Sequence, residues 1–149
     1  MRVFATLGLA AAMIATTLAP ASAAINASPE HTVDYRHNIM KSMEAQANAI
    51  GQILALMVPD TNLASHFEAL LISVRQTKVA FKDHIEGGKA KPEVWTNWAD
   101  FSARLDKMEQ GAIKAIEAAK KGGGPGYVGE YALDAMPCKA CHDVYKKND

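Results

Sequence analysis

The sequence has only two cysteines, no excess of either charge, no internal repeat and no stretch of strand-type alternation. Each shortage excludes something. Sixteen basic side chains balance sixteen acidic ones, so no strongly basic surface invites nucleic acid or an anionic membrane as partner. Without alternating apolar and polar residues there is no sign of a half-buried sheet. A thioredoxin-type redox pair, which sits at a helix start beside a βαβ unit, goes with it. Zinc is also poorly served. His31, His37, His66 and His84 are present, but none forms with a neighbour the paired ligand spacing that a zinc site uses.

Charge is also missing from the beginning of the chain. After Met1-Arg2, the run from Val3 to Leu18 carries none, and Ala19-Pro-Ala-Ser-Ala23 follows with small residues in an A-x-A pattern. The run is shorter than the ~20 residues a spanning helix needs. It reads as a secretory signal peptide, residues 1–23, with cleavage near Ala23. Removing Arg2 leaves fifteen basic against sixteen acidic side chains, a net charge near −1. The domain expected after export covers residues 24–149, and its expected location is the periplasm.

What is present is helical periodicity. Ser28-Pro29-Glu30 resembles a helix start. From there Val33, Arg36, Met40, Met43, Ala47, Ile50, Leu54 and Met57 recur on one face, until Val58-Pro59-Asp60. A second stripe runs through Leu63, Phe67, Leu70, Val74, Phe81 and Ile85 to Gly87-Gly88. A third opens at Lys91-Pro92-Glu93 and continues from Val94 to Ile116, before a break at Gly122–Gly126. The fourth spans about Tyr127 to Lys147 and carries Val128, Tyr131, Ala135, Cys138, His142 and Tyr145. Four such helices with short links can bury their stripes only against one another. The expected fold is all-α, an antiparallel up-down-up-down four-helix bundle.

Both cysteines fall in MPCKACH, Met136 to His142. Three residues apart on a helix, Cys138 and Cys141 share a face. A disulfide between them would close a loop too small to constrain the chain much. C-x-x-C-H is instead the pattern of c-type haem attachment. The two thiols form thioethers with the porphyrin vinyl groups, and His142 follows at once to offer its imidazole to the iron. One covalent haem c is the cofactor this motif predicts.

CKACHDVYKK at the end of the chain, YRHNIMK in the first helix and KPEVWTNWADF opening the third together resemble the class II c-type cytochromes, the cytochrome c′ family. The resemblance covers the whole mature chain and implies the same four-helix bundle. It implies that the distal residue stands on the first helix, four places after an arginine, and those positions match Met40 and Arg36. Relatives are often dimers through their first two helices, which makes a second copy of the chain a partner to expect. Nothing in the sequence names a redox partner protein. The family pattern has arginine in many members where this chain has Lys146.

Arg36 sits on an apolar stripe, where a charge is rarely left unpaired. A haem propionate is its natural partner; the other reading is a side chain that snorkels with its head in water. Met40 lies one turn further along. Its sulfur is a suitable axial ligand that raises the reduction potential, and it can equally line a distal pocket or fill space. YRxxIMK is closer to the low-spin branch of the family. The leading expectation is therefore a non-enzymatic one-electron carrier, with His142 proximal and Met40 distal. The alternative is a five-coordinate cytochrome c′ that binds NO or CO at an open distal face. Trp95 and Trp98 are expected as core or groove fillers, a contact with the porphyrin edge being the other reading. Lys139, Lys146 and Lys147 form either a solvated helix end or a mild basic rim for docking an acidic redox partner.

Overall fold

The computed structural model describes residues 28–148. The signal-peptide reading falls on residues 1–23, which lie outside that range. The described chain forms helices α1 (Pro29–Leu54), α2 (Leu63–Ala80), α3 (Glu93–Thr96), α4 (Trp98–Lys120), α5 (Pro125–Ala135) and α6 (Cys138–Tyr145). A single 3-10 turn, Asp60–Asn62, precedes α2. Among the described residues there is no strand, and no helix is long and apolar enough to cross a membrane. α1 packs on α2, α2 on α4 and α4 on α5, and α5 meets α1 to close the bundle.

Each long helix starts or stops for a local reason. The Ser28 hydroxyl accepts the His31 amide 3.2 Å away, and Pro29 occupies the first turn of α1, where its missing N–H costs nothing. α4 ends in a Schellman motif. Gly122 at φ +80° lets its own amide reach the Ala119 carbonyl and the Gly123 amide reach that of Ala118.

α1 ends with the same two bonds, Leu56 to Ile53 and Met57 to Gln52, but a leucine holds the left-handed position at φ +59°. That conformation costs an L-residue roughly 1–2 kcal/mol. Leu56 is 77% exposed, so its side chain gives little back. Leu56→Gly is expected to stabilise the fold by about 0.5–1 kcal/mol, less than the full relief because glycine is freer when unfolded. Urea unfolding measures it, and a destabilised variant contradicts the reading.

The interior is a continuous aliphatic and aromatic cluster that includes Ile50, Ile53, Phe67, Leu70, Val74, Leu105 and Val128. Burying each such side chain is worth about 1.5–3 kcal/mol. α4 and α5 approach so closely that a Cβ added at Gly111 would lie 2.5 Å from the Ala135 nitrogen, which explains the glycine inside a helix.

Four expected boundaries move. The third helix is interrupted at Asn97, at φ −122°, ψ 44°, which leaves the single turn α3 ahead of α4. α1 stops at Leu54 and leaves Met57 exposed, because the cap at Leu56 turns the chain away. α2 stops at Ala80, so Phe81 and Ile85 belong to the following turns, yet Phe81 still inserts into the core. The fourth helix is two helices, since Pro137 cannot donate to the ladder and Met136 leaves helical geometry at φ −133°, ψ 51°.

Candidate haem site

The break at Met136-Pro137 frees α6 to take its own direction. This eight-residue helix carries Cys138, Cys141 and His142, and its main neighbours are α3 and α4. Its C-terminal end pairs with the segment before α3. The Lys91 amide donates to the Tyr145 carbonyl at 2.9 Å, and the Lys147 amide to that of Lys89 at 2.8 Å. An isolated antiparallel bridge joins Ala90 to Lys146. The site therefore lies at the bundle end that holds the start of α1 and the connection after α2. Two surface concavities of about 410 and 240 Å³ lie at the opposite end, around Leu56–Asp60 and Thr61–Leu63, and take no part in it.

Cys138 is exposed and Cys141 half-buried, and both are free thiols. Cys141 packs against the core cluster. Burial pushes both thiols above their ordinary pKa, and for Cys141 the Arg104 charge opposes the rise. The His142 ring is exposed and forms no hydrogen bond with another described residue. Partial desolvation lowers its pKa first, with the Lys146 charge adding and Asp143 opposing. A neutral imidazole is the form that donates to a metal. Lys139 reaches Asp143 at 2.7 Å along the outer face of α6, so one of the expected cations there is already paired.

Arg36 neither snorkels nor reaches water: the residue is 4% exposed. Its Nε donates to the Ala80 carbonyl at 2.9 Å, Nη2 to that of Asp83 at 2.8 Å, and Nη1 to that of Ile85. The guanidinium carbon lies 4.7 Å from the Phe81 ring centre and 5.3 Å from that of Trp95. Burial lowers its pKa, and Asp83 partly offsets this. Three of its five N–H groups are thus committed to the carbonyls that end α2 and start the next turn, and two remain for another acceptor. Met40, one turn on, is half-buried against the core. The sulfur of its neighbour Met43 lies 3.4 Å from the Thr77 hydroxyl, which donates to the Ser73 carbonyl at 2.9 Å.

The residues that sequence reasoning missed stand on α4. Arg104 Nε donates to Asp100 Oδ2 at 2.6 Å, and the Tyr145 hydroxyl donates to the same oxygen. Arg104 Nη1 reaches the Ala140 carbonyl on α6 at 3.1 Å. Only the i,i+4 spacing of Asp100 and Arg104 was visible in advance. The Tyr145 hydrogen bond, followed by that of Arg104, holds the Asp100 carboxyl below its usual range. Burial, then the Asp100 bond, pushes Tyr145 up to about 12. A depressed carboxylate stabilises the fold above its unfolded pKa of about 3.9 and loses that contribution as pH falls through the folded value. The stability difference between wild type and Asp100→Asn should be flat from pH 5 to 8 and shrink below pH 4 in urea titrations. A difference that grows on acidification contradicts this.

The donor set fits a c-type haem on structural grounds. Two unpaired thiols one turn apart, one exposed and one half-buried against the core, stand beside an imidazole that forms no hydrogen bond with another described residue. No group of three or more His, Cys, Asp or Glu among the described residues is arranged to hold a metal ion by itself. A short helix presenting this set from a four-helix bundle defines the class as a bundle cytochrome. The profile described as Cytochrome C′ matches residues 31–146, and the chain belongs to that family, whose members carry one covalent haem c. It is 30% identical over 127 residues to a cytochrome c′ from Pararhodospirillum photometricum, covering 81% of this chain and all of the relative. It is 27% identical over 123 residues to the Alcaligenes xylosoxydans xylosoxydans cytochrome c′, covering 81% of this chain and 97% of that one. A solved ferrous variant of cytochrome c prime from Alcaligenes xylosoxidans with bound NO superposes with a TM-score of 0.74 at 28% identity, covering 83% of this chain and 98% of that one.

Proposed function

We propose that this protein is a periplasmic cytochrome c′ that binds NO or CO on a five-coordinate haem, with Cys138 and Cys141 as the thioether residues and His142 as the proximal ligand. The observation that carries the reading is the relatives' chemistry. Structures that share 27–28% identity with this chain over nearly their whole length are nitric oxide complexes. The expectation of a low-spin His/Met electron carrier gives way to what was its alternative. The haem, when bound, supplies an iron that takes a diatomic ligand or exchanges one electron. The chain's own residues do the rest. Cys138 and Cys141 would tether the haem, His142 would offer a neutral nitrogen to its iron, and Met40 would stand beside it on α1 without bonding. Arg36 offers its two uncommitted N–H groups to a propionate.

A second reading keeps the electron carrier. It rests on Met40 itself, which stands on α1 one turn beyond Arg36, half-buried against the core, with no hydrogen bond to its sulfur among described residues. Carbon monoxide separates the two. The dithionite-reduced protein is expected to bind CO with a shifted Soret band. A reduced spectrum indifferent to saturating CO would refute the open distal face and restore the carrier.

A further inference from the structure

α6 is too short to orient itself. Eight residues make a helix of about 12 Å, below the length at which helices hold alone in water. The chain before it is non-helical at Met136 and Pro137, and only Tyr145 of its residues is fully buried. Its orientation must therefore come from what grips it.

Two grips come from one pair of α4 residues. Asp100 Oδ2 takes the Tyr145 hydroxyl, and the same oxygen orients Arg104, which crosses to the Ala140 carbonyl. The Arg104 guanidinium also lies over the Tyr145 ring, 5.6 Å from its centre, and that ring packs edge-on against Phe101 at 5.1 Å. Ala140 and Tyr145 bracket Cys141 and His142, about 7.5 Å apart along the axis and well separated around it. A helix held at two such points cannot roll. The backbone pairing with residues 89–91 fixes where the end of α6 lies, and the α4 pair fixes which way its side chains face.

We propose that Asp100, Arg104 and Tyr145 are positioning residues that lock the rotation of α6 and so aim the His142 imidazole. The role rests on the reading of His142 as the proximal ligand. Asp100 is the single control point, because its loss releases Tyr145 and disorients Arg104 together.

The test uses the mature haem-loaded protein with Tyr145→Phe, Asp100→Asn and, as a folding control far from α6, Ile53→Val. Hydrogen exchange of the α6 amides reads the grip directly. The ferrous iron–imidazole stretch in resonance Raman reads the aim, and the CO dissociation constant reads its consequence. In both clamp variants α6 amides are expected to exchange roughly tenfold faster, the band to shift and broaden, and CO affinity to change roughly tenfold, the size seen when a ligand's supporting shell is removed. Ile53→Val is expected to lower stability while leaving band and affinity in place. Unchanged α6 exchange in Asp100→Asn overturns the clamp. A band unmoved in the clamp variants but lost in His142→Ala overturns the positioning role alone. A wild-type band retained in His142→Ala sinks the ligand reading and the positioning role with it.

Discussion

Replacing Arg36 with leucine is expected to lower the unfolding free energy by about 3 kcal/mol in urea titrations. The side chain spans from α1 to the end of α2 and holds three carbonyls, those of Ala80, Asp83 and Ile85. Hydrogen bonds from a charged donor contribute about 1.5–3 kcal/mol each. Their sum overstates the loss, since wild type also bears the cost of desolvating the guanidinium and water can reach part of the opened turn. Leucine keeps the apolar contact beneath Phe81 and Trp95 but leaves the Ala80 and Ile85 carbonyls without the guanidinium donor, while Asp83's keeps the Trp95 indole. Arg36→Lys should recover only part, because one ammonium cannot serve three acceptors in a fixed fork. A loss under 1 kcal/mol in Arg36→Leu would show that the turn after α2 holds itself. The loosened turn also carries Trp95's two acceptors, the Phe81 and Asp83 carbonyls, each 3.0 Å from its indole nitrogen. The damage should therefore extend to α3.

The largest chemical effect is expected at the thioethers. Acid extraction of wild-type protein should leave all haem on the polypeptide, a mass increase of one haem on the chain. The Cys138→Ala, Cys141→Ala double variant should release all of it, and each single variant should keep it through one bond. Cys141→Ala is the more damaging single change, because Cys141 is half-buried against the core while Cys138 is exposed. It should reduce haem loading on expression by several-fold relative to Cys138→Ala. Haem that leaves the wild type on extraction would contradict covalent attachment through these residues.

The bundle was legible because its determinants are local. Caps at Ser28 and Gly122 and stripes of three- and four-residue spacing can be read along one chain. The C-x-x-C-H motif was legible for the same reason, as five adjacent residues. Boundaries failed where distant packing decided them. Phe81 reads as part of the α2 stripe because it is buried, but it is buried from a turn that Arg36 holds across 44 residues of sequence. Pro137 cannot donate to a helical ladder and so marks a break that a sequence shows, while the new direction of α6 depends on Asp100, Arg104 and the segment at 89–91. Arg36 shows the limit most plainly. Its place on an apolar stripe pointed to a partner, and three backbone carbonyls are partners that leave no mark in a sequence.

The account turns on the face of the iron opposite His142, and one measurement addresses it most directly: electron paramagnetic resonance of the ferric protein, wild type beside Met40→Leu. A five-coordinate site with Met40 unbonded predicts a high-spin signal in the wild type that Met40→Leu leaves high-spin. A low-spin wild-type signal that converts to high spin in Met40→Leu would show that the sulfur holds the iron, and would contradict the gas-binding assignment.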